Sequence, residues 1–173
     1  MSGKAIGKSL NHGFAGSYAR QPDMIIQTRP NVDTAPIVFG RPVMSASNGA
    51  SVSGVVNIRG GFTAESFAGI AGREVKSALN YTEQGLGVGG VYSPDEPVSV
   101  FQRGSISVIC SVGTPALGGK VYIRVAESTG KTIGDIEATA DGSNNVLIPN
   151  AQWGGSADAN SIAELVLLTR TNA

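Results

Sequence analysis

Residues 97–112 read PVSVFQRGSISVICSV, and the spacing of their apolar side chains decides the fold class. Val98 and Val100 flank Ser99. Ile106, Val108, Cys110 and Val112 then alternate with Ser105, Ser107 and Ser111, and Ile109 is the one exception. An apolar residue at every second position marks a strand with one face on a core and the other on solvent or a partner. Arg103-Gly104-Ser105 supplies turn chemistry between the halves, so two strands are expected, 97–104 and 105–112.

The same texture extends in both directions. GKVYIRVAE (119–127) sets Val121, Ile123 and Val125 on one face and Tyr122 and Arg124 on the other. NVLIPN (145–150) and SIAELVLLTR (161–170) follow, after turn segments GTPALGG and DGSNN. Upstream, MIIQT (24–28), PIVFG (36–40) and GVVNIRGG (54–61) read as short strands among prolines that favour edges and turns. The best helical segment is 62–81, with Phe62, Phe67 and Ile70 as its buried side. Gly69 and Gly72 interrupt it and limit it to one short helix. The expected fold is therefore mainly β, a β-sandwich or barrel-like domain over residues 24–173 with at most one short helix. An extended N-terminal arm, residues 1–23, precedes it.

Composition narrows the function classes. Thirteen basic and thirteen acidic residues cancel, which argues against direct nucleic-acid binding through a clustered basic face. Charged residues make up 15% of the chain, well under the roughly 25% of ordinary soluble proteins, and such a neutral surface suits one covered by partners. No apolar run is long enough to span a membrane, and the first twenty residues lack the apolar core of a secretory signal. A soluble protein made in a cytoplasm is expected. The lone Cys110 reads as a buried strand residue, and with His12 the only histidine, no structural zinc site is expected.

Several motifs imitate chemistry without its context. GLGVGG (85–90) fits G-x-G-x-x-G, but no buried strand precedes it and Pro94 and Pro97 prevent a helix after it. It reads as a loop whose glycines let another chain come close. ESTGKT (127–132) resembles the end of a phosphate-binding loop, yet Val125 stands where its first glycine belongs, so a hairpin turn carrying Lys131 is expected. His12 lies in the irregular arm, away from any evident nucleophile. Asp135 and Glu137 are spaced to share a strand face, where paired carboxylates could act on a glycoside. A solvated strand face explains them better. Asp141–Asn145 lacks the later ligands of a calcium loop. No catalytic residue, cofactor or metal is expected.

Taken in order, GSYARQPD (16–23), PIVFGRPV (36–43), FAGIAGREVKSA (67–78), YSPDEPVSVFQRGSISVICS (92–111) and GGKVYIRVAESTG (118–130) resemble the head decoration proteins of tailed bacteriophages, the structural cement protein family. The resemblance implies a non-enzymatic β-rich protein on the outer surface of the assembled capsid, made in the cytoplasm of a bacterial host. It also implies a homo-oligomer, a trimer in preference to a dimer, that bridges neighbouring copies of the major capsid protein and stabilises the DNA-filled head.

Interface residues are nominated on physical grounds alone. Ser9, Leu10, Phe14, Tyr18 and Arg20 dot an arm that has no periodicity of its own and little else to bury against. Arg124 and Trp153 join them, because arginine and tryptophan are enriched at interface centres. Two other readings compete: a carbohydrate- or receptor-binding module of a virion using Trp153 and Tyr92, and a hydrolase using Asp135 and Glu137.

Overall fold

A computed structural model describes residues 11–47, 53–73 and 90–169. Eleven strands and one 3-10 turn, Ala64–Ser66, make up its regular structure among these residues. The strands are β1 (Tyr18–Pro30), β2 (Ile37–Val38), β3 (Pro42–Ser47), β4 (Ser53–Asn57), β5 (Phe67–Ala71) and β6 (Val91–Tyr92). They continue with β7 (Pro97–Val112), β8 (Lys120–Arg124), β9 (Ile136–Glu137), β10 (Asn145–Trp153) and β11 (Ile162–Leu167). The mainly β expectation holds.

The two strands expected over 97–112 are one. β7 runs unbroken through Arg103-Gly104-Ser105 for 16 residues. Gly104 serves as a crossing point rather than a turn. It sits at φ +105°, and the carbonyl oxygen of Asp23 occupies the place a Cβ would need. Opposite it, β1 steps from Arg20 to Ile25 while β7 steps only from Ser105 to Arg103, so β1 bulges over the glycine. β7 carries an extra residue of its own between Phe101 and Arg103. That extra residue shifts the alternation by one, so Phe101 and Ile106 both reach the main core, although strict period 2 would set them on opposite faces.

β7 organises everything else. Its second half pairs with β11 over Gly104–Ile109 and, in parallel, with β9 at Cys110 and Val112. β9 pairs with β8, β8 with β10, and β10 with β11, which closes a five-stranded ring. Its first half lies between β1 and β5, and β5 leads through β3 to β4. Val55 of β4 bridges back to Asn31, at the end of β1, giving a second ring that is nearly closed. Two rings sharing one long strand explain why β7 is buried on both faces from Val98 to Val108, except at the half-buried Arg103, rather than half-buried throughout as its period suggested. One core fills the closed ring around Ile106, Ile123, Ile148, Trp153 and Leu165, and reaches Phe62, Phe67 and Phe101. The other lies between Ile37, Phe39, Val43, Tyr92 and Val100.

Two local expectations are corrected. Phe67–Ala71 is a strand, not part of a helix, because Ile70 and Ala71 pair with Phe101 and Val100 of β7. Phe62, Phe67 and Ile70 are nonetheless buried, and residues 74–81 lie outside the described residues. β1 begins at Tyr18, inside the segment expected to be an irregular arm, since Tyr18 and Arg20 pair with Ile106 and Ser105. Residues 85–89 of GLGVGG lie outside the described residues.

Candidate interaction surface

The charged residues that could have carried chemistry are bound to one another. Arg124, with no exposed side-chain surface, donates from Nε to Glu137 Oε1 and from Nη2 to Glu137 Oε2 (3.2 Å) and Asp141 Oδ2 (2.6 Å). Asn145 donates to the same glutamate at 2.6 Å, and its Oδ1 accepts from the backbone N–H of Asp141. Asp135 takes the guanidinium of Arg41 at 2.6 Å and the backbone N–H of Thr132 at 2.8 Å. Asp135 and Glu137 are thus buried in separate ion pairs, neither a solvated face nor an open pair of carboxylates. Among the described residues, no three or more His, Cys, Asp or Glu side chains gather to hold a metal.

The nominated interface residues scatter. Trp153 belongs to β10, not a loop, and is wholly buried in the main core; Arg124 is wholly buried in its ion pair. Neither presents atoms to a partner. Tyr92 is equally buried and donates to the carbonyl of Gly72 at 2.6 Å, so the sugar platform of Trp153 and Tyr92 has no surface to offer. Arg20 is exposed but pairs with Glu164 at 2.7 Å, and Tyr18 stacks on Phe101 with ring centroids 5.8 Å apart. Ser9 and Leu10 lie outside the described residues. Phe14 is the most exposed apolar side chain of the set among the described residues, at 51% against 40% for Tyr18.

Around Phe14 a surface assembles that the sequence did not single out. The chain before β1 lies along the sheet: Gly16 donates to the carbonyl of Ser107, and its own carbonyl accepts from Arg73, each at 2.7 Å. Gly40 sits at φ +77° against this segment, and a Cβ there would stand 2.7 Å from that of Ala15. Only glycine permits that approach. It brings Phe14 to one face of the Arg73 guanidinium, 5.0 Å from the ring centroid, with Phe39 also within reach at 5.6 Å. Arg73 and Arg41 line a cleft of about 230 Å³, together with Ala15, Val38 and Ile109. Val38 is 37% exposed and Ile109 49%. Ile109 is the residue that broke the alternation of 105–112; an apolar side chain out of phase with its strand was the one available signal.

The ion pairs fix how stability responds to acid. Burial pushes the Asp135 carboxyl up, but the Thr132 N–H and Arg41 outweigh it and hold it below the ordinary value of 3.8. Hydrogen bonds from Arg124 and Lys131 lower Asp141, and the hydrogen bond from Arg20 lowers Glu164 below 4.5 against the opposing effect of burial. Groups depressed in the folded state bind protons more readily when unfolded. Their contribution is therefore complete above their ordinary values and is lost as pH falls through the folded ones. The urea midpoint is expected to stay level from about pH 7 to about pH 5.5, and to drop below about pH 4. Asp135→Asn should make that acid limb shallower, and an unchanged slope would contradict the assignment.

Comparison with known proteins fits this picture of a β-rich chain with its charges turned inward. The family model described as structural cement protein (E217 gp24/Pam3 gp6) matches residues 3–168. The fold is similar to that of a chain in the solved capsid of Myoviridae phage XM1, with TM-score 0.68, 17% identity and 96% of each chain covered. No curated protein sequence matches. The chain belongs to the phage structural cement protein family, and its role is structural and capsid-associated.

Proposed function

We propose that the protein binds the outer surface of an assembled phage head as a homo-oligomer, a trimer in preference to a dimer, and bridges neighbouring major capsid protein subunits. It acts without catalysis and resides on the virion after synthesis in the bacterial cytoplasm. The observation that carries the reading is the contrast between the ionic groups and the apolar ones. Arg124 with Glu137, Arg41 with Asp135 and Arg20 with Glu164 neutralise one another within the chain, while Phe14, Val38 and Ile109 stand exposed beside one cleft. An apolar patch with few unmatched charges is a docking surface rather than a reaction site. In this reading residues 1–23 serve as an arm and residues 24–173 as the body, with Phe14 carried from the arm onto the cleft.

The mechanism is mass action. A ligand that binds only the assembled shell stabilises it by RT ln(1 + [L]/Kd) at each site, and linked subunits raise the effective concentration for every further contact. Heads saturated with the protein are expected to release DNA at a higher temperature than heads stripped of it. Equal release temperatures would overturn the proposal.

A further inference from the structure

We infer that Arg73 receives a single carboxylate from the capsid protein, next to an aliphatic side chain of that protein seated against Val38 and Ile109. This rests on the reading that an assembled capsid is the partner. Arg20, Arg41, Arg103 and Arg124 each pair with a carboxylate of this chain. Arg73 has no carboxylate partner among the described residues. Arg29 and Arg59 also lack one, but neither is held by an aromatic ring nor lines this cleft.

Arg73 is built in place. Its backbone N–H donates to Gly16, Phe14 and Phe39 hold its guanidinium, and Nε reaches the carbonyl of Ala15 at 3.5 Å. Both terminal nitrogens are left without an acceptor among the described residues. A planar guanidinium fixed by aromatic rings loses little freedom on binding and matches the two oxygens of a carboxylate. The surroundings fix the class of partner. The cleft's other cation, Arg41, is already neutralised by Asp135, so one negative charge completes it. Its apolar walls favour a protein side chain over a phosphate backbone, as does a net charge of zero. A volume of about 230 Å³ falls below the roughly 300–1,000 Å³ of small-molecule pockets and suits one or two side chains.

The test is co-sedimentation of the full chain with purified heads lacking it. Arg73→Gln is expected to bind about 30-fold more weakly or worse, the loss typical when one partner of a buried charge pair is removed. Arg103→Gln, whose partner Asp23 is exposed, should stay within about threefold of wild type. Wild type binding heads while Arg73→Gln binds equally well would overturn this inference and leave the capsid reading intact. Wild type failing to bind would remove both. Retention of wild type on a DNA duplex, lost in Arg73→Gln, would overturn the carboxylate in favour of phosphate. Because the variant could lose its fold, Arg73→Lys provides a second readout. Carbodiimide treatment of its complex with heads should join the new amine to an Asp or Glu of the capsid protein, and absence of that cross-link counts against the inference.

Discussion

Arg124→Ala is expected to lower the stability of the fold by about 3–5 kcal/mol, the cost of leaving a buried charge without its partner. Glu137 has no exposed surface and would keep only the hydrogen bond from Asn145. Asp141 would keep Lys131 at 3.3 Å and lose the shorter contact to Arg124. The effect should extend beyond one pair, because the carbonyl of Ala126 and the hydroxyl of Ser128 also accept from Arg124. The network thereby ties the end of β8 to the turn after it and to β9. The same logic predicts recovery: Arg124→Met combined with Glu137→Leu removes both charges at once, and such replacements of buried pairs are often neutral or stabilising. Urea unfolding of Arg124→Met, of Glu137→Leu and of the double variant measures the coupling directly. A single-variant loss under about 1 kcal/mol would mean that the pair is solvated rather than buried.

The residues at this site show what a sequence can and cannot disclose. The alternation of Val121, Ile123 and Val125 correctly set Arg124 on the opposite face from the core. It could not reveal that this face is also covered, because the covering groups are Glu137, Asp141 and Asn145, brought in by the antiparallel pairing of β8 with β9 and with β10 and by the turn between those two strands. Period 2 reports a difference between two faces, not how much of either meets water. The same blindness divided β7 in two: Gly104 carries turn chemistry in any local reading, and only the approach of Asp23 from β1, eighty-one residues earlier, makes it a crossing point. Strand types and the main core were legible because they depend on neighbours in sequence. The Arg73 cleft was not, because Phe14, Val38 and Ile109 meet through long-range contacts, and only Ile109 left a local trace.

Trp153→Ala is expected to cost about 3–5 kcal/mol, the loss that follows deletion of a large buried aromatic side chain. The stretch NAQWGGSAD (150–158) suggests a loop, with packing of Trp153 against its own domain as the favoured reading and a sugar platform or an interface anchor as the alternatives; the packing holds and the loop does not. Trp153 is the last residue of β10, paired with Leu165 of β11, and exchanges backbone hydrogen bonds with the turn at Gly118 and Gly119. The following Gly154 then donates to the carbonyl of Glu164 at 2.8 Å, which holds the chain close to β11 beyond the strand's end. Within the main core the indole contributes volume rather than polarity, since its Nε1 is buried with no acceptor among the described residues. Trp153→Phe should therefore lose much less than Trp153→Ala: it forfeits no hydrogen bond and leaves the smaller cavity. Circular dichroism in urea is the suitable measurement, because Trp153 is the only tryptophan and its removal abolishes the usual fluorescence signal. A surface anchor would behave oppositely, with both variants keeping wild-type stability and losing only binding. Equal unfolding midpoints for wild type and Trp153→Ala would thus return this residue to the surface and undo the closed ring drawn around it.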